Sequence, residues 1–278
     1  MEEYITYDLI HHIIGFQWVL LLIAVSNIWI IRRARHFYPF QPFPMVSILV
    51  PARNEERGIA NCVQSLLDQD YPSFEVLVLD DQSIDNTNAI LQGMVNQNAK
   101  LTVLEGKPAL REVVGKNWAC VQLAEQAKGE LFLFTDADTL HQPNSLQSIV
   151  TSLIGENADL VTGFPSQQVH SWGERLLVPF FSWAMICFNS LWVAYRLRTP
   201  ALSSAVGQMM LFRREAYYMI GGYEEVGKSM VDDLSIVRLI KSYGLRWRIV
   251  HISDIVSCRM YNNAQEAYHG FVKNMFAA

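Results

Sequence analysis

Three apolar runs, "VSILV" (46–50), "FEVLVLD" (74–80) and "LFLFT" (131–135), are too short for stable helices, and polar residues stop each of them. Continuous runs of this kind suit strands covered on both faces. Helical spacing fills the gaps: Ile59, Val63, Leu66 and Leu67 follow the first run, and "SIDNT" opens a helix after the second. "NWACVQLAEQAKG" predicts a helix ending at Gly129, and "LTVLE" (101–105) predicts a further strand. Strands alternating with helices of this length imply a mostly parallel sheet with right-handed crossovers. Such sheets bind ligands beyond the carboxyl ends of their strands. "PARNE", "DDQSID" and "TDAD" fall at those ends, so the three clusters are expected on one rim.

The second half is less regular. "GQMMLFRR" predicts a strand, "EAYYMIGG" a short helix, "DDLSIVRLIKSYG" a helix with Leu234, Val237 and Ile240 on its apolar side, and "SYGLRWRIV" another strand. A Pro-started helical pattern follows "TDADTLHQP".

Ahead of this pattern, Leu9 to Ile31 runs for 23 residues without Asp, Glu, Lys or Arg. That length crosses a hydrocarbon core of about 30 Å. A signal peptide would need a basic leader, which "MEEYITYD" does not supply, and a buried core helix rarely runs so long. Arg32, Arg33 and Arg35 follow the run, so the positive-inside tendency puts the rest of the chain in the cytoplasm at the cell membrane. The expected organisation is a membrane helix with its basic flank (1–35), a Pro- and Phe-rich linker (36–45), and a catalytic domain (46–278). That domain divides into a donor-binding half (46–140) and an acceptor half (141–278). Within the acceptor half, 172–198 carries three tryptophans and flanking arginines and reads as a helix lying in the membrane interface, a second span or a buried helix being the alternatives. Net charge is −5 with signs interspersed, which gives no case for nucleic-acid binding. The four cysteines are widely spaced without metal-ligand patterns, as expected of reduced structural thiols.

Asp136 and Asp138, one residue apart after a strand, would face the same way and repel, so a positive group is expected between them. The simplest one is a hard divalent cation that also holds phosphate oxygens. An Asp after a strand is also a common helix cap, so this pair alone decides nothing. Lys116 stands at a helix start behind Gly115, where an ammonium and backbone N–H groups suit a diphosphate. Asp80 and Asp81 end a strand, where an acid accepts from a ribose or base, although a capped turn explains them equally. Arg53 offers a planar guanidinium for stacking on a base. Asp232 and Asp233 open a helix, either as dipole partners or as a general base.

In order and spacing, "VSILVPARNEE", "VLVLDDQSIDNT", "GKNWA", "LFTDADT", "GQMMLFRREAYYMIGGYE" and "VDDLSI" resemble family 2 glycosyltransferases over roughly residues 45 to 243. "FTDADTLHQP", "SWGERLLVP" and "CRMYNNAQEAYHGFVKN" are similar to its membrane-bound subgroup associated with carotenoid and hopanoid pathways. The resemblance implies an α/β GT-A fold, Rossmann-like, behind the membrane helix. It also implies that Pro51, Ala52, Arg53 and Glu55 line the nucleotide pocket, with Asp80 and Asp81 at the base, Lys116 and Asp136 at the diphosphate and ribose, and Asp136 and Asp138 on Mg²⁺ or Mn²⁺. Asp233 would be the catalytic base beside Asp232. Two positions depart from the family pattern: Gln82 replaces the usual Gly, and Asp232 stands where Glu is more frequent. Arg246 and Trp247 lack the preceding glutamine of processive members, which implies transfer of one sugar. The expected reaction is inverting transfer from a nucleotide sugar, a UDP-sugar in the first instance, to a hydroxyl or carboxyl of a membrane lipid or isoprenoid. The alternatives are a polyprenyl-phosphate acceptor and a non-catalytic subunit that binds the nucleotide sugar. The subgroup continues into further membrane helices where "AYHGFVKNMFAA" stops, so a truncated or divergent C-terminus is expected.

Overall fold

The computed structural model describes residues 2–31, 42–108, 115–169, 172–227, 229, 231–260 and 266. The basic flank, the linker up to Gln41 and, Glu266 apart, the chain after Met260 lie outside the described residues.

After helix α1 (Glu2–Ile30), the chain runs β1 (Val46–Ala52), α2 (Ile59–Leu67), β2 (Phe74–Asp80), α3 (Thr87–Val95), β3 (Leu101–Glu105), α4 (Gly115–Gln126) and β4 (Leu131–Thr135). There follow β5 (Thr139–His141), α5 (Ser145–Gly155), β6 (Leu160–Phe164), β7 (Ser166–Gln167), α6 (Trp172–Phe188) and α7 (Leu191–Arg196). The described chain closes with β8 (Met209–Arg213), α8 (Arg214–Met219), α9 (Gly222–Val226), α10 (Asp232–Ser242), β9 (Trp247–His251) and β10 (Val256–Cys258).

Among the described residues the main sheet has seven strands in the order β3-β2-β1-β4-β8-β6-β9. β1 pairs in parallel with β2 and β4, Val46 lying opposite Phe74 and Leu131. β8 is antiparallel to both its neighbours, and β6 and β9 are parallel. The chain steps from β1 outward to β3, then returns to place β4 on the other side of β1. A crevice opens where the order reverses.

Period-2 alternation explains the packing. Val46, Ile48 and Val50 of β1, Val76 and Val78 of β2, and Leu131 and Leu133 of β4 share one core with Ile59, Val63 and Leu66 of α2 and Ile149 of α5. Leu49, Leu77, Leu79, Phe132 and Phe134 point the other way, onto Ala119, Cys120 and Leu123 of α4 and Ile236 of α10. Burial on both faces is why these strands read as unbroken apolar runs.

Several boundaries differ from the expectations. α4 stops at Gln126, short of Gly129, and the helix expected from Pro143 starts at Ser145, because Pro143 and Asn144 form a turn closed by Ser145 N–H on the Gln142 carbonyl. On α10 the buried apolar side chains are Ile236, Val237 and Ile240, while Leu234 is half-buried. β5, β10 and β7 form a second, three-stranded sheet that local patterning did not announce.

Within α1, Leu9–Ile30 spans 22 residues at mean hydropathy 2.0 and is almost wholly exposed. The helix packs against α6 and α7. Asn27, buried in that contact, donates from Nδ2 to the carbonyls of Ile186 (2.7 Å) and Asn189 (2.8 Å) and accepts from Leu191 N–H (3.0 Å). Its amide therefore satisfies the break between α6 and α7, which divides the segment expected as one interfacial element. At 17 residues α6 extends about 25 Å, shorter than a hydrocarbon core. Trp172, Leu176, Phe180 and Trp183 form an exposed stripe at helical spacing along it, so α6 is not a buried core helix.

Candidate active site

The loops after β1 and β2 are laced together. Asn54 N–H donates to Ser83 Oγ (2.9 Å), Ile84 N–H to Asn54 Oδ1 (2.9 Å), Glu55 N–H to Thr87 Oγ1 (2.8 Å) and Glu56 N–H to Asp85 Oδ2 (3.1 Å). Asn54 and Gln82 both adopt φ 57°, the left-handed region. That explains the Gly usual at position 82 in the resembled family, because a side chain there carries a steric cost.

The paired acids of this loop separate in role. Asp80 turns inward, accepting from Ser83 N–H (3.2 Å) and Asn88 Nδ2 (2.9 Å), and so shapes the turn. Asp81 points away from that turn and is also buried, with Oδ2 3.5 Å from Arg53 Nη1. Gly115 admits this approach: a Cβ there would stand 3.2 Å from Asp81 Oδ2.

Asp136 and Asp138 lie in a turn after β4, not in the strand, so strand alternation does not set their directions. The positive partner of Asp136 is Lys116, with Nζ 2.7 Å from Oδ1. Burial alone would lower the Lys116 pKa, but Asp136, helped by Asp232, outweighs it and raises it. Thr139 Oγ1 donates to the Asp136 carbonyl (2.7 Å), and Thr135 Oγ1 to that of Gln208 (3.0 Å). His141, buried and lowered to about 4 by that burial, lies within hydrogen-bond distance of Thr135, Thr139 and Ser145 beneath the turn.

Asp138 Oδ1 is buried and has no hydrogen-bond partner among the described residues. Burial first, then Asp136, pushes the Asp138 carboxyl up to about 6, while a hydrogen bond from Cys258 opposes the rise. Glu55 is pushed up to about 7 by burial, then by Asp138 and Asp136. The corner thus holds more negative charge than Lys116 alone compensates. Among the described residues no set of three or more His, Cys, Asp or Glu side chains converges as metal ligands. Two carboxylates with an orphaned oxygen nevertheless fit Mg²⁺ or Mn²⁺, which take one or two carboxylates together with substrate phosphates.

These groups share a cavity of about 420 Å³. Pro51, Ala52, Arg53 and Glu55 line it from β1 and its loop, with Asp81 from β2, Lys116 from α4, and Asp136 and Asp138 beyond β4. Gly115, Ala119 and Ala137 also line it and went unforeseen, although small residues at 115 and 119 stand one helical turn apart facing the rim. Asp80 is not part of the lining, and neither are Asp232 and Asp233. The latter open α10 on the far side of Lys116, whose charge acts on Asp233. Asp233 Oδ1 accepts from Leu234 N–H (2.7 Å), and a Cβ on Gly207 would lie 3.2 Å from Asp233 Cβ. Burial, then Asp232, raises the Asp233 carboxyl to about 6.

A family model described as glycosyl transferase family 2 matches residues 47–221. Among curated proteins, beta-monoglucosyldiacylglycerol synthase of Trichormus variabilis is 28% identical over 232 residues, 81% of this chain and 47% of the relative. A 4,4'-diaponeurosporenoate glycosyltransferase of Staphylococcus haemolyticus is 25% identical over 218 residues, 78% of this chain and 56% of the relative. The chain spans about half the length of the curated relatives it matches. Among solved structures, a mannosyltransferase from Pyrobaculum calidifontis in complex with GDP-Man and Mn²⁺ superposes with a TM-score of 0.68 at 21% identity, covering 100% of this chain and 73% of that one. The architecture is the mixed α/β, Rossmann-like GT-A fold.

Proposed function

The chain belongs to glycosyl transferase family 2, and from that premise we propose that it moves one sugar from a nucleotide-diphosphate sugar to a hydroxyl or carboxyl of a membrane lipid or isoprenoid at the cytoplasmic face, inverting the anomeric configuration. The observation that carries this reading is the donor cavity at the strand-order reversal, where Lys116 pairs with Asp136 and the buried Asp138 Oδ1 has no partner among the described residues.

Arg53 offers its guanidinium face to the nucleobase, and Asp81 accepts from a base N–H or ribose hydroxyl. Lys116, at the first turn of α4, faces the diphosphate together with the helix N-terminus. A divalent cation held by Asp136 and Asp138 would supply further neutralisation of the departing diphosphate. Asp233 removes the proton as an acceptor hydroxyl attacks the anomeric carbon, and the bond from that carbon to the diphosphate oxygen breaks. One displacement inverts the centre. The Gly207 approach and the Leu234 N–H hold the Asp233 carboxylate in place for that role. α1 and the exposed stripe of α6 support a membrane placement that brings a water-insoluble acceptor to the site.

Incubating membranes that carry the full chain with labelled UDP-sugars and Mn²⁺ or Mg²⁺ tests the reading. Label is expected in the lipid extract, and calorimetry is expected to register donor binding that needs the cation. Neither transfer nor donor uptake with any activated sugar would overturn it. A phosphate acceptor would instead leave Asp233→Asn near-normal in turnover.

A further inference from the structure

Away from the donor cavity, positive charge collects at the opposite end of the main sheet. Arg246 precedes β9 and Trp247 opens it, whereas Asp136 follows the end of β4, and the strand pairings run β4 and β9 in the same direction. Two adjoining cavities there, of about 460 and 180 Å³, share Tyr195, Arg196 and Arg248. The smaller adds Arg198, Lys241 and Arg246, and among the described residues no carboxylate lines it. The larger adds a single acid, Glu156, whose Oε2 lies 3.5 Å from Arg248 Nε. Five cations thus face one acid.

Aromatic faces and a carbonyl hold part of this set in place. Arg196 lies 4.0 Å over the Trp192 ring, Arg248 4.5 Å over Tyr195, and Lys241 Nζ donates to the Leu202 carbonyl at 2.6 Å. Arg198 and Arg246 are exposed, and their side chains have no partner among the described residues. Like charges lining adjoining cavities repel, and an anion seated among them relieves that repulsion.

The cavity's position supplies the identity of the anion. Trp29 and Ile30 line the larger lobe and are the last residues of the apolar stretch Leu9–Ile30. In a bilayer, the end of such a stretch and its tryptophans lie at headgroup level, where lipid phosphates sit. Arginine forks pair with phosphate oxygens through two parallel hydrogen bonds.

We propose that this two-lobed basic cavity seats the phosphodiester headgroup of an anionic phospholipid from the leaflet in which α1 ends. The inference rests on the membrane placement proposed above, and it concerns a site separate from the donor cavity. The bound lipid bridges α1, α7 and the start of β9, fixing the domain against the bilayer surface.

Full-length chain in nanodiscs of equal parts phosphatidylcholine and phosphatidylglycerol, read by native mass spectrometry, tests it. Phosphatidylglycerol is expected to be retained over phosphatidylcholine, and Arg198→Gln with Arg246→Gln is expected to cut that preference about tenfold. Both side chains are exposed, so an unchanged melting temperature is the control for folding. Normal insertion without phosphatidylglycerol enrichment, or enrichment that the double variant leaves intact, overturns the inference while the membrane placement stands. Failure to enter discs of phosphatidylcholine alone overturns the membrane placement, and the inference with it. Displacement of the lipid by millimolar inorganic phosphate would reassign the cavity to a small soluble anion and equally overturn it.

Discussion

The sheet up to β4 and the sheet after it are built differently. In the first half, β1, β2 and β3 are joined in sequence through single helices, and the loops that follow β1 and β2 hydrogen-bond directly to each other. In the second half, β8 is driven antiparallel between β4 and β6, and β10 crosses to a separate sheet to pair with β5. Gln208 marks the junction: its carbonyl accepts from Thr135 Oγ1, and its side chain reaches Cys258 Sγ and Gln167. The difference teaches that nearby chain shapes the Arg53 and Asp81 side of the cavity, whereas Asp136 and Asp138 are aimed by contacts between distant segments.

Asp138→Asn sharpens that comparison most, because it removes a buried charge whose Oδ1 has no partner among the described residues. Turnover is expected to fall about a thousandfold, with the melting temperature held or raised because a repelling charge beside Asp136 is gone. Asp233→Asn comes next, with a loss of about a hundredfold or more in kcat and donor affinity unchanged in calorimetry. Wild-type turnover should also decline as pH falls through about 6, because protonated Asp233 cannot accept a proton. The variant's residual rate should fall less steeply there, keeping only the part that protonation of Asp138 contributes. An Asp233→Asn protein that loses donor binding instead would break the division between the two halves.

Asn27→Leu probes the second half's dependence on α1. It strands the carbonyls of Ile186 and Asn189 and the Leu191 N–H, and about 2–4 kcal/mol of stability is expected to go, seen in detergent unfolding and in cleavage between α6 and α7. Gln82→Gly is the smallest test, confined to the first half. Relief of the left-handed strain and the added chain entropy nearly cancel, so denaturant unfolding should move by less than about 1 kcal/mol.

The first half was legible because its signals are local. Apolar runs announced β1, β2 and β4, and the polar residues behind them announced the rim on which Arg53, Asp81 and Asp136 now stand. The second half was legible only in pieces. β6 and β8 pair residues about fifty positions apart, such as Leu160 with Phe212, and nothing within "LVTGF" or "VSC" names its partner. Cys258 reaches Asp138 only because β10 lies along β5, so its place at the acids carried no sequence signal.

By itself the sequence determined the family, the parallel strands with their helices, the candidate acids and the apolar length of α1, because composition, periodicity and motif order are properties of neighbouring residues. Tertiary structure alone decided that Asp80 turns inward while Asp81 faces the cavity, that Lys116 pairs with Asp136, that Asp233 stands outside the lining of that cavity, and that five cations gather where α1 ends. Each of those outcomes rests on the direction of a side chain across a gap between segments. Such directions are fixed by packing and charge once the chain has closed on itself.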